Sequence, residues 1–454
     1  MGATKQMDLT QGSVIKQMLL FALPIMLGNI LQQLYNVADR VVVGQFAENG
    51  EVALAAVGAT SSATLLILGL FGGIAIGANV ICANLLGAKQ QEQLRQSMHT
   101  SVLIAGICGI GVGLFGVLAA KWILELMDTP ASVLTDATLY MQIYFMGAPG
   151  SLVYNFSSGI MRAHGDTKRP MYILMVSGIV NVVLNLVFVI GCGMGVDGVA
   201  IATIVSQYLS AAWALCILFH PKDIYQLRRQ ELKIHKNHLI SIIRIGIPNG
   251  LGGMVFSLSN VIVQSSINSF DSAVIMAGKT ASTDLASLIY QVEAALYATC
   301  VSFAGQCYGA KEYKRIDMLA ARSIAVLETI YLILAGVTTV FSRQLVGLFN
   351  SNPEVIDVGV SLYMVQCWGY MLYAPAEMFL GCLRGMKYST MPTLLNLIGV
   401  CLPRLLWVWF VFPCHRSILF LYMCYPISWI ISTIMQGSYY FHVRKKQNRE
   451  LAVK

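Results

Sequence analysis

Long apolar stretches divide the chain of 454 residues into twelve segments, each of a length that suits a membrane-crossing helix. A hydrocarbon core of about 30 Å needs roughly twenty apolar residues in a helix. The segments are continuous runs, unlike the short alternating strands of a barrel. The pattern therefore predicts an all-α integral membrane protein with twelve transmembrane helices. The predicted spans are residues 15–38, 53–79, 98–120, 134–158, 171–192, 196–219, 241–268, 273–304, 319–341, 355–380, 391–412 and 417–441.

The placement of charge supports the membrane interpretation and predicts the orientation. Only 11% of residues are charged and mean hydropathy is +0.67, whereas a soluble domain carries about 25% charged residues. Of the 30 Lys and Arg residues, 24 fall on one side of the predicted spans, four on the other, and two, Lys279 and Arg404, lie within spans. Basic loops stay in the cytoplasm, so we expect both termini to be cytoplasmic in a multi-pass protein of the cell membrane. The net charge of +8 is thus a topology signal, and we expect no nucleic-acid partner.

The two halves of the chain repeat each other. Residues 84–89 (NLLGAK) match 306–311 (QCYGAK), and 162–170 match 384–392, with an offset near 222 residues. Six spans per half give both halves the same orientation, so we predict two pseudo-symmetric six-helix lobes, 1–219 and 241–454. The basic, amphipathic connection 220–240 is predicted to be a helix on the cytoplasmic leaflet.

The first span carries the polar positions that stand out most. Residues 14–46 include Pro24, several amides, and a carboxylate, Asp39. An ionisable side chain at membrane depth is costly and usually marks an ion or substrate path. The alternative is that Asp39 lies at the outer interface and is neutralised by the adjacent Arg40.

Three further polar residues are predicted to lie at the depth of Asp39. Asn181 and Asn185 are one helical turn apart on the fifth span and share a helix face. Thr203 on the sixth span lies roughly 10 Å below the outer surface, from a rise of about 1.5 Å per residue. Hard cations prefer oxygen ligands, and a desolvated carboxylate can also trap a proton. The alternative is that the asparagines only form interhelical hydrogen bonds.

The stretch LTQGSVIKQMLLFALPIMLGNILQQLYNVADRVVVGQF, the duplicated GAK loops and VNVVLNLVFVIG resemble the multidrug and toxic compound extrusion (MATE) family over nearly the whole chain. The resemblance implies twelve helices in two lobes and export driven by Na⁺ or H⁺ through alternating access. The family's N-lobe cation site matches Asp39, Asn181, Asn185 and Thr203, where Na⁺ would be held by the first three. Some members carry a second carboxylate at the position of Asn185.

The resemblance also suggests where substrate binds and where coupling occurs. Acidic residues that other members have in the seventh helix are missing before Asp271, so coupling is expected in the N-lobe alone. The residues that match positions lining the N-lobe cavity in relatives are Gln32, Gln33, Tyr35 and Asn155.

The C-lobe has intramembrane charges of its own. The helical rise per residue places Asp284 and Arg404 about 15 Å below the outer surface. We predict that these two residues form an ion pair, with Lys279 able to join them. Glu293 and Glu377 lie deeper. Either they face a cavity and attract a cationic substrate, or each carboxylate is bonded to backbone or a hydroxyl group.

Together these features predict a monomeric antiporter that exports organic, cationic or amphipathic compounds in exchange for Na⁺ or H⁺, without a further cofactor. Pro24 is expected to provide a bend in the first helix, since proline removes a helix hydrogen bond. A flippase for a lipid-linked sugar, from the same wider superfamily, is the alternative; it needs a large basic cavity. The spans contain neither HExxH nor paired catalytic aspartates, which argues against an intramembrane enzyme.

Overall fold

The computed structural model describes residues 7–46, 50–220, 225 and 227–452, and these form helices with no strand among them. The helices that precede the central connection are α1 Val14–Phe46, α2 Gly50–Gly87, α3 Gln91–Leu126, α4 Ala131–Met146, α5 Ala148–Ala163, α6 Lys168–Asn185 with a π-helical continuation Leu186–Gly191, and α7 Val196–Leu218. Those that follow it are α8 Lys236–Asn268, α9 Ala273–Gly309, α10 Tyr313–Val340, α11 Ser342–Gly347, α12 Pro353–Gly385, α13 Thr390–Asn396, α14 Leu402–Leu406, α15 Ile418–Tyr422 and α16 Cys424–Ala452.

Eleven helical segments in the described residues are long and apolar enough to cross a membrane. The remaining predicted span, residues 134–158, is the pair α4 and α5, which are broken at Gly147. Pro149 lies in the first turn of α5 and cannot donate a backbone hydrogen bond back into α4. The prediction of an all-α membrane protein with twelve spans is confirmed, with the fourth span built from two shorter helices.

The internal repeat in the sequence returns as a repeat in backbone conformation. Lys89 and Lys311, the last residues of the two GAK motifs, each lie in the turn after a helix and have positive φ, +57° and +62°. Gly165 and Lys387, which are equivalent in the second repeated loop, have φ of +86° and +69°. A left-handed backbone is uncommon for a residue with a side chain, so its recurrence at equivalent sites shows that the halves share their turn geometry.

The chain divides into two compact units, which we call the N-lobe and the C-lobe. The N-lobe contains Leu23–Gly250, and the C-lobe contains Thr10–Ala22 and Leu251–Lys454. The first turns of α1 thus group with the C-lobe, whereas the sequence assigned all of residues 1–219 to the first domain. Each lobe has its own apolar core, around Met141 and Phe145 in the N-lobe and around Leu362 and Phe412 in the C-lobe.

Large apolar side chains also cover much of the outside of the lobes. Leu118 is 83% exposed and Val340 is 72% exposed. A soluble protein rarely leaves so many apolar side chains in water, whereas their exposure to lipid has no such free-energy cost. This surface fits the membrane location that the apolar spans predict.

The central connection differs from the predicted amphipathic helix over 220–240. Residues 221–224 and 226 lie outside the described part; beyond them, a single turn, Arg229–Glu231, precedes α8. The backbone N–H groups of Arg228 and His235 instead donate to His99 Nε2 and Thr100 Oγ1 of α3, each at 3.1 Å. These tertiary hydrogen bonds satisfy the donors that a helix would otherwise pair internally.

Candidate functional site

Helix α1 carries Asp39 past α6, and a small residue allows the close approach. The Tyr35 hydroxyl, one turn before Asp39, donates to the Met175 carbonyl of α6 at 3.1 Å. A methyl group at Gly178 would overlap the ring of Tyr35, so glycine is needed for this contact. The packing of Tyr35 on Gly178 therefore fixes which face of α6 meets the carboxylate.

The structure brings together the four residues predicted to form a cation site. Asn185 Nδ2 donates a hydrogen bond to Asp39 Oδ1 at 2.5 Å. Asn185 Nδ2 also lies 3.5 Å from Asn181 Oδ1, and Asn181 Nδ2 lies 3.5 Å from Thr203 Oγ1. These two contacts are at the outer limit of a hydrogen bond, so the amides are only weakly held by each other.

The oxygens of this cluster fit the ligand set of a hard cation. Asn185 is fully buried, and its Oδ1 accepts no hydrogen bond from the residues that the structure describes. A buried carbonyl oxygen without a partner is costly, and a cation would compensate for it. The π-helical turn Leu186–Gly191 begins directly after Asn185, and such turns are frequent at functional sites.

Asp39 borders a cavity of about 480 Å³ in the N-lobe. Of the predicted residues, Gln32, Tyr35, Asp39, Asn155, Asn181 and Thr203 line it. Gln33 does not line it, and Asn185 lies behind Asp39 rather than on its wall.

The cavity also has polar lining residues that the sequence reasoning missed. They are Asn36, Arg40, Tyr140, Tyr144, Ser206 and Gln207, among others. Tyr140 and Tyr144 stack with ring centroids 6.0 Å apart, and their spacing of one helical turn was the signal available in the sequence. Arg40 is exposed, and the ion pairs of the described residues include none between Arg40 and Asp39. The partner of Asp39 is the amide of Asn185, not the adjacent guanidinium.

The predicted ion pair between Asp284 and Arg404 is not formed. Arg404 is 1% exposed; its Nη1 donates to Asn260 Oδ1 at 2.9 Å, and its Nε donates to Ser428 Oγ at 3.1 Å. Equal depth placed Asp284 and Arg404 at one level, but depth alone does not fix which way a side chain points around its helix. Lys279, expected to join the pair, lines a second cavity together with Arg404.

Glu293 and Glu377 are each bonded to a tyrosine hydroxyl. Tyr331 donates to Glu293, and Tyr373 donates to Glu377 Oε1 at 2.5 Å. Glu293 is 1% exposed, and neither carboxylate lines the second cavity that contains Lys279 and Arg404. Of the two alternatives from the sequence, this geometry corresponds to the hydroxyl-bonded carboxylate.

Pro24 lies inside α1, which continues through it as helix from Val14 to Phe46. Pro248 occupies the same position in α8, the equivalent helix of the second half. A hinge at Pro24 stays a prediction.

Comparison with known proteins identifies the family. The sequence profile of the MatE family matches residues 24–187 and 248–409, one segment in each half of the chain. The probable multidrug resistance protein YoeA of Bacillus subtilis (strain 168) is 28% identical over 447 residues, which cover 96% of this chain and 95% of that protein. The probable multidrug resistance protein YpnP of the same strain is 30% identical, covering 78% and 79%.

A solved structure supports the same assignment at the level of the fold. The outward-facing structure of a multidrug resistance MATE family transporter of the MOP superfamily matches with a TM-score of 0.90 and 20% identity, covering 99% of this chain and 100% of that one. The profile, the curated relatives and the two-lobe helical fold agree, and the chain belongs to the MatE, or multidrug and toxic compound extrusion (MATE), family of membrane transporters.

Proposed function

We propose that the protein is an antiporter that exports organic compounds in exchange for Na⁺ or H⁺ by alternating access, and that the cation binds at Asp39. The observation that carries the proposal is the direct hydrogen bond between Asn185 and Asp39, at the wall of a polar cavity. A carboxylate at membrane depth that is hydrogen-bonded to an amide, and that forms no direct ion pair with Arg40 nearby, can bind and release a cation.

Each residue of the cluster has a distinct part in this scheme. Asp39 supplies the negative charge that binds a proton or coordinates Na⁺. Asn181, Asn185 and Thr203 offer neutral oxygens around it and orient the carboxylate through Asn185. We expect Na⁺ to take the unpartnered Asn185 Oδ1 as a ligand after the amide rotates. A proton would instead make Asp39 a donor, and the same amide oxygen would accept from it.

The energy available suits export. One positive charge that enters down the membrane potential releases about 2.3 kcal/mol per 100 mV. This corresponds to roughly a forty-fold gradient of a neutral solute, since about 1.4 kcal/mol is a factor of ten. Cation binding at Asp39 from outside would favour release of substrate outward, and loss of the cation to the cytoplasm would favour return of the empty site inward.

The N-lobe cavity is a suitable place for the substrate. Its volume of about 480 Å³ lies within the usual range for sites that hold drug-sized molecules. Tyr35, Tyr140 and Tyr144 offer aromatic faces, and Gln32 and Asn155 offer amides. Aromatic faces and a nearby carboxylate attract organic cations, so we propose cationic or amphipathic compounds as substrates. The transporter would act as a monomer in the cell membrane with both termini in the cytoplasm.

The lipid-linked-sugar flippase is less well supported. It requires a large basic cavity, whereas the larger of the two cavities described here contains Asp39 and the smaller, basic one measures about 260 Å³. A polyprenyl diphosphate sugar is much bulkier than the second cavity.

The proposal is tested with purified full-length protein in proteoliposomes that carry ethidium, a cationic dye. Na⁺ and H⁺ gradients are imposed separately, and dye movement is followed for the wild type, Asp39→Asn and Asp357→Asn. Asp357 is a matched control because it undergoes the same acid-to-amide change at an exposed ion pair with Arg343, which is worth little. We expect Asp39→Asn to lose gradient-driven transport at least tenfold and Asp357→Asn to keep it. Normal gradient-driven export by Asp39→Asn would refute the coupling role.

A further inference from the structure

The C-lobe contains a second cavity, of about 260 Å³, which differs in charge from the N-lobe cavity: its lining includes no acid among the described residues, whereas Asp39 and Arg40 both line the N-lobe cavity. Its walls are largely aromatic and carry two basic side chains. The residues that define it here are Phe256, Lys279, Tyr370, Arg404, Tyr425 and Trp429. We call this space the C-lobe cavity.

Arg404 is the main feature of the C-lobe cavity. Its guanidinium is held between two rings, 4.5 Å from the Tyr425 centroid and 5.3 Å from the Phe256 centroid. Two of its five N–H groups donate to neutral oxygens, those of Asn260 and Ser428. Among the described residues, no acceptor bonds the Nη2 group. The planar guanidinium group of Arg404 is thus fixed in place, and its remaining N–H groups can donate to a ligand in the cavity.

Among the described residues, no carboxylate forms an ion pair with Arg404. Asp284, Glu293 and Glu377 are absent from the cavity wall, and the two glutamates are engaged by tyrosine hydroxyls. Lys279, which lines the same space, adds a second basic side chain, and the nearby carboxylate of Asp284 offsets part of its charge. A buried charge without a counter-charge is costly in a membrane, and an anion in the cavity would compensate for it.

The internal repeat shows that this arrangement replaces the polar wall of the other cavity. Arg404, Asn260 and Ser428 follow Asn181, Asn36 and Ser206 by 223, 224 and 222 residues, within the offset that relates the two halves. Asn36, Asn181 and Ser206 all line the N-lobe cavity beside Asp39. At equivalent positions the N-lobe therefore has a neutral amide next to an acid, whereas the C-lobe has a fixed positive charge.

We propose that the C-lobe cavity is a binding site for an organic anion with an aromatic body. The carboxylate, sulfonate or phosphate group of the ligand accepts hydrogen bonds from Arg404 Nη2. Lys279, on the same wall, attracts the negative charge of this group. The ring of the ligand packs against Tyr370, Tyr425 and Trp429.

The chemistry and size of the cavity both favour such a ligand. Guanidinium groups bind planar acid groups through paired, charge-assisted hydrogen bonds. Rings 5.3 to 5.7 Å apart, Tyr370 to Trp429 and Tyr425 to Trp429, already form an aromatic wall. A cavity of roughly 150 Å³ holds benzene, so about 260 Å³ admits one or two fused rings with an acid group.

The test measures binding to purified full-length protein in phosphatidylcholine nanodiscs by equilibrium dialysis. The probe is naphthoate, and naphthamide and naphthylmethylammonium serve as its uncharged and cationic analogues. The variants are Arg404→Gln, Arg404→Lys, Lys279→Gln and, as a matched control, Arg343→Gln. Arg343 undergoes the same change at an exposed site of the same lobe.

We expect naphthoate to bind at least tenfold more tightly than naphthamide, and the cation to bind more weakly than either. Arg404→Gln should lower naphthoate affinity at least tenfold and remove the preference over naphthamide. Arg404→Lys should restore part of both, and Arg343→Gln should match the wild type. If Arg404→Gln does not yield a monodisperse protein, Lys279→Gln provides the decisive variant, with an expected loss of at least threefold. Equal affinity for naphthoate and naphthamide, or preference for the cation, would overturn the proposal.

A second arm distinguishes the source of the anion. If the acid group belongs to a lipid headgroup, nanodiscs that contain phosphatidylglycerol will weaken naphthoate binding by competition. If the ligand is a soluble anion, the lipid will have no effect on that affinity. Either result supports an anion site.

This site is independent of cation coupling at Asp39. Asp39→Asn should leave naphthoate binding unchanged, and Arg404→Gln should leave Na⁺ or H⁺ dependence at Asp39 in place. Failure of the two proposals would therefore be seen in different variants.

Discussion

The substitution Asn185→Asp gives the sharpest test of the cation site, because it adds a second acid where the structure shows an amide in contact with Asp39. The Asn185 Nδ2 atom lies 2.5 Å from Asp39 Oδ1, so the new carboxylate would face the existing one directly. Two unit charges about 4 Å apart repel by about 4 kcal/mol at an effective dielectric constant of 20. A bound cation between them would relieve this repulsion.

The repulsion sets the size of the expected effect. About 4 kcal/mol corresponds to nearly a thousandfold in affinity as an upper limit. The carboxylates can rotate apart and the cavity beside Asp39 is polar, so we expect the half-saturating concentration of the coupling cation to fall at least tenfold.

The assay is ethidium transport in proteoliposomes, with Na⁺ titrated at fixed pH and, separately, pH titrated without Na⁺. Asn155→Asp is the matched control: Asn155 lines the same cavity, but its amide donates to the Ser151 carbonyl of its own helix at 2.9 Å. An unchanged half-saturation in Asn185→Asp, or an equal shift in Asn155→Asp, would show that the contact with Asp39 does not govern cation binding.

Two further substitutions test the packing that supports these sites. Gly178→Ala would force the Tyr35 ring off α6 and should reduce gradient-driven ethidium transport at least fivefold. Gly191→Ala is the control, because no described atom lies within 4 Å of a Cβ added there, and this variant should transport normally. Equal rates in both variants would contradict the role of the contact between Tyr35 and Gly178. Tyr331→Phe leaves the 1% exposed Glu293 without its hydroxyl donor, and this should destabilise the protein by about 1–3 kcal/mol, seen as a lower thermal midpoint in detergent. Adding Glu293→Gln should recover part of that loss, and an unchanged midpoint in Tyr331→Phe would show that the buried carboxyl does not depend on the bond.

The sequence alone determined the membrane class, the number of spans and the duplication, because each depends on local properties of the chain. Apolar run length gives the spans, and the offset of the GAK motifs predicts equivalent loops, which the φ angles of Lys89 and Lys311 bear out. Helical spacing also placed Asn181 and Asn185 on one face, and the depth estimate brought Asp39 to their level. The proximity of Asp39 to the two asparagines could therefore be predicted from the sequence, although the hydrogen bond from Asn185 to Asp39 was not specified.

Only the tertiary structure decided which groups touch. Depth along a span follows from counting residues, but the rotation of a helix and the approach of its neighbours depend on packing across the whole lobe. Counting residues assigns Arg404 and Asp284 to one level, yet Arg404 donates hydrogen bonds to Asn260 and Ser428 instead. Glu293 and Glu377 turn to tyrosines for the same reason. The different charges of the two lobe cavities thus arise from the side chains that packing turns inward, which no single span reveals.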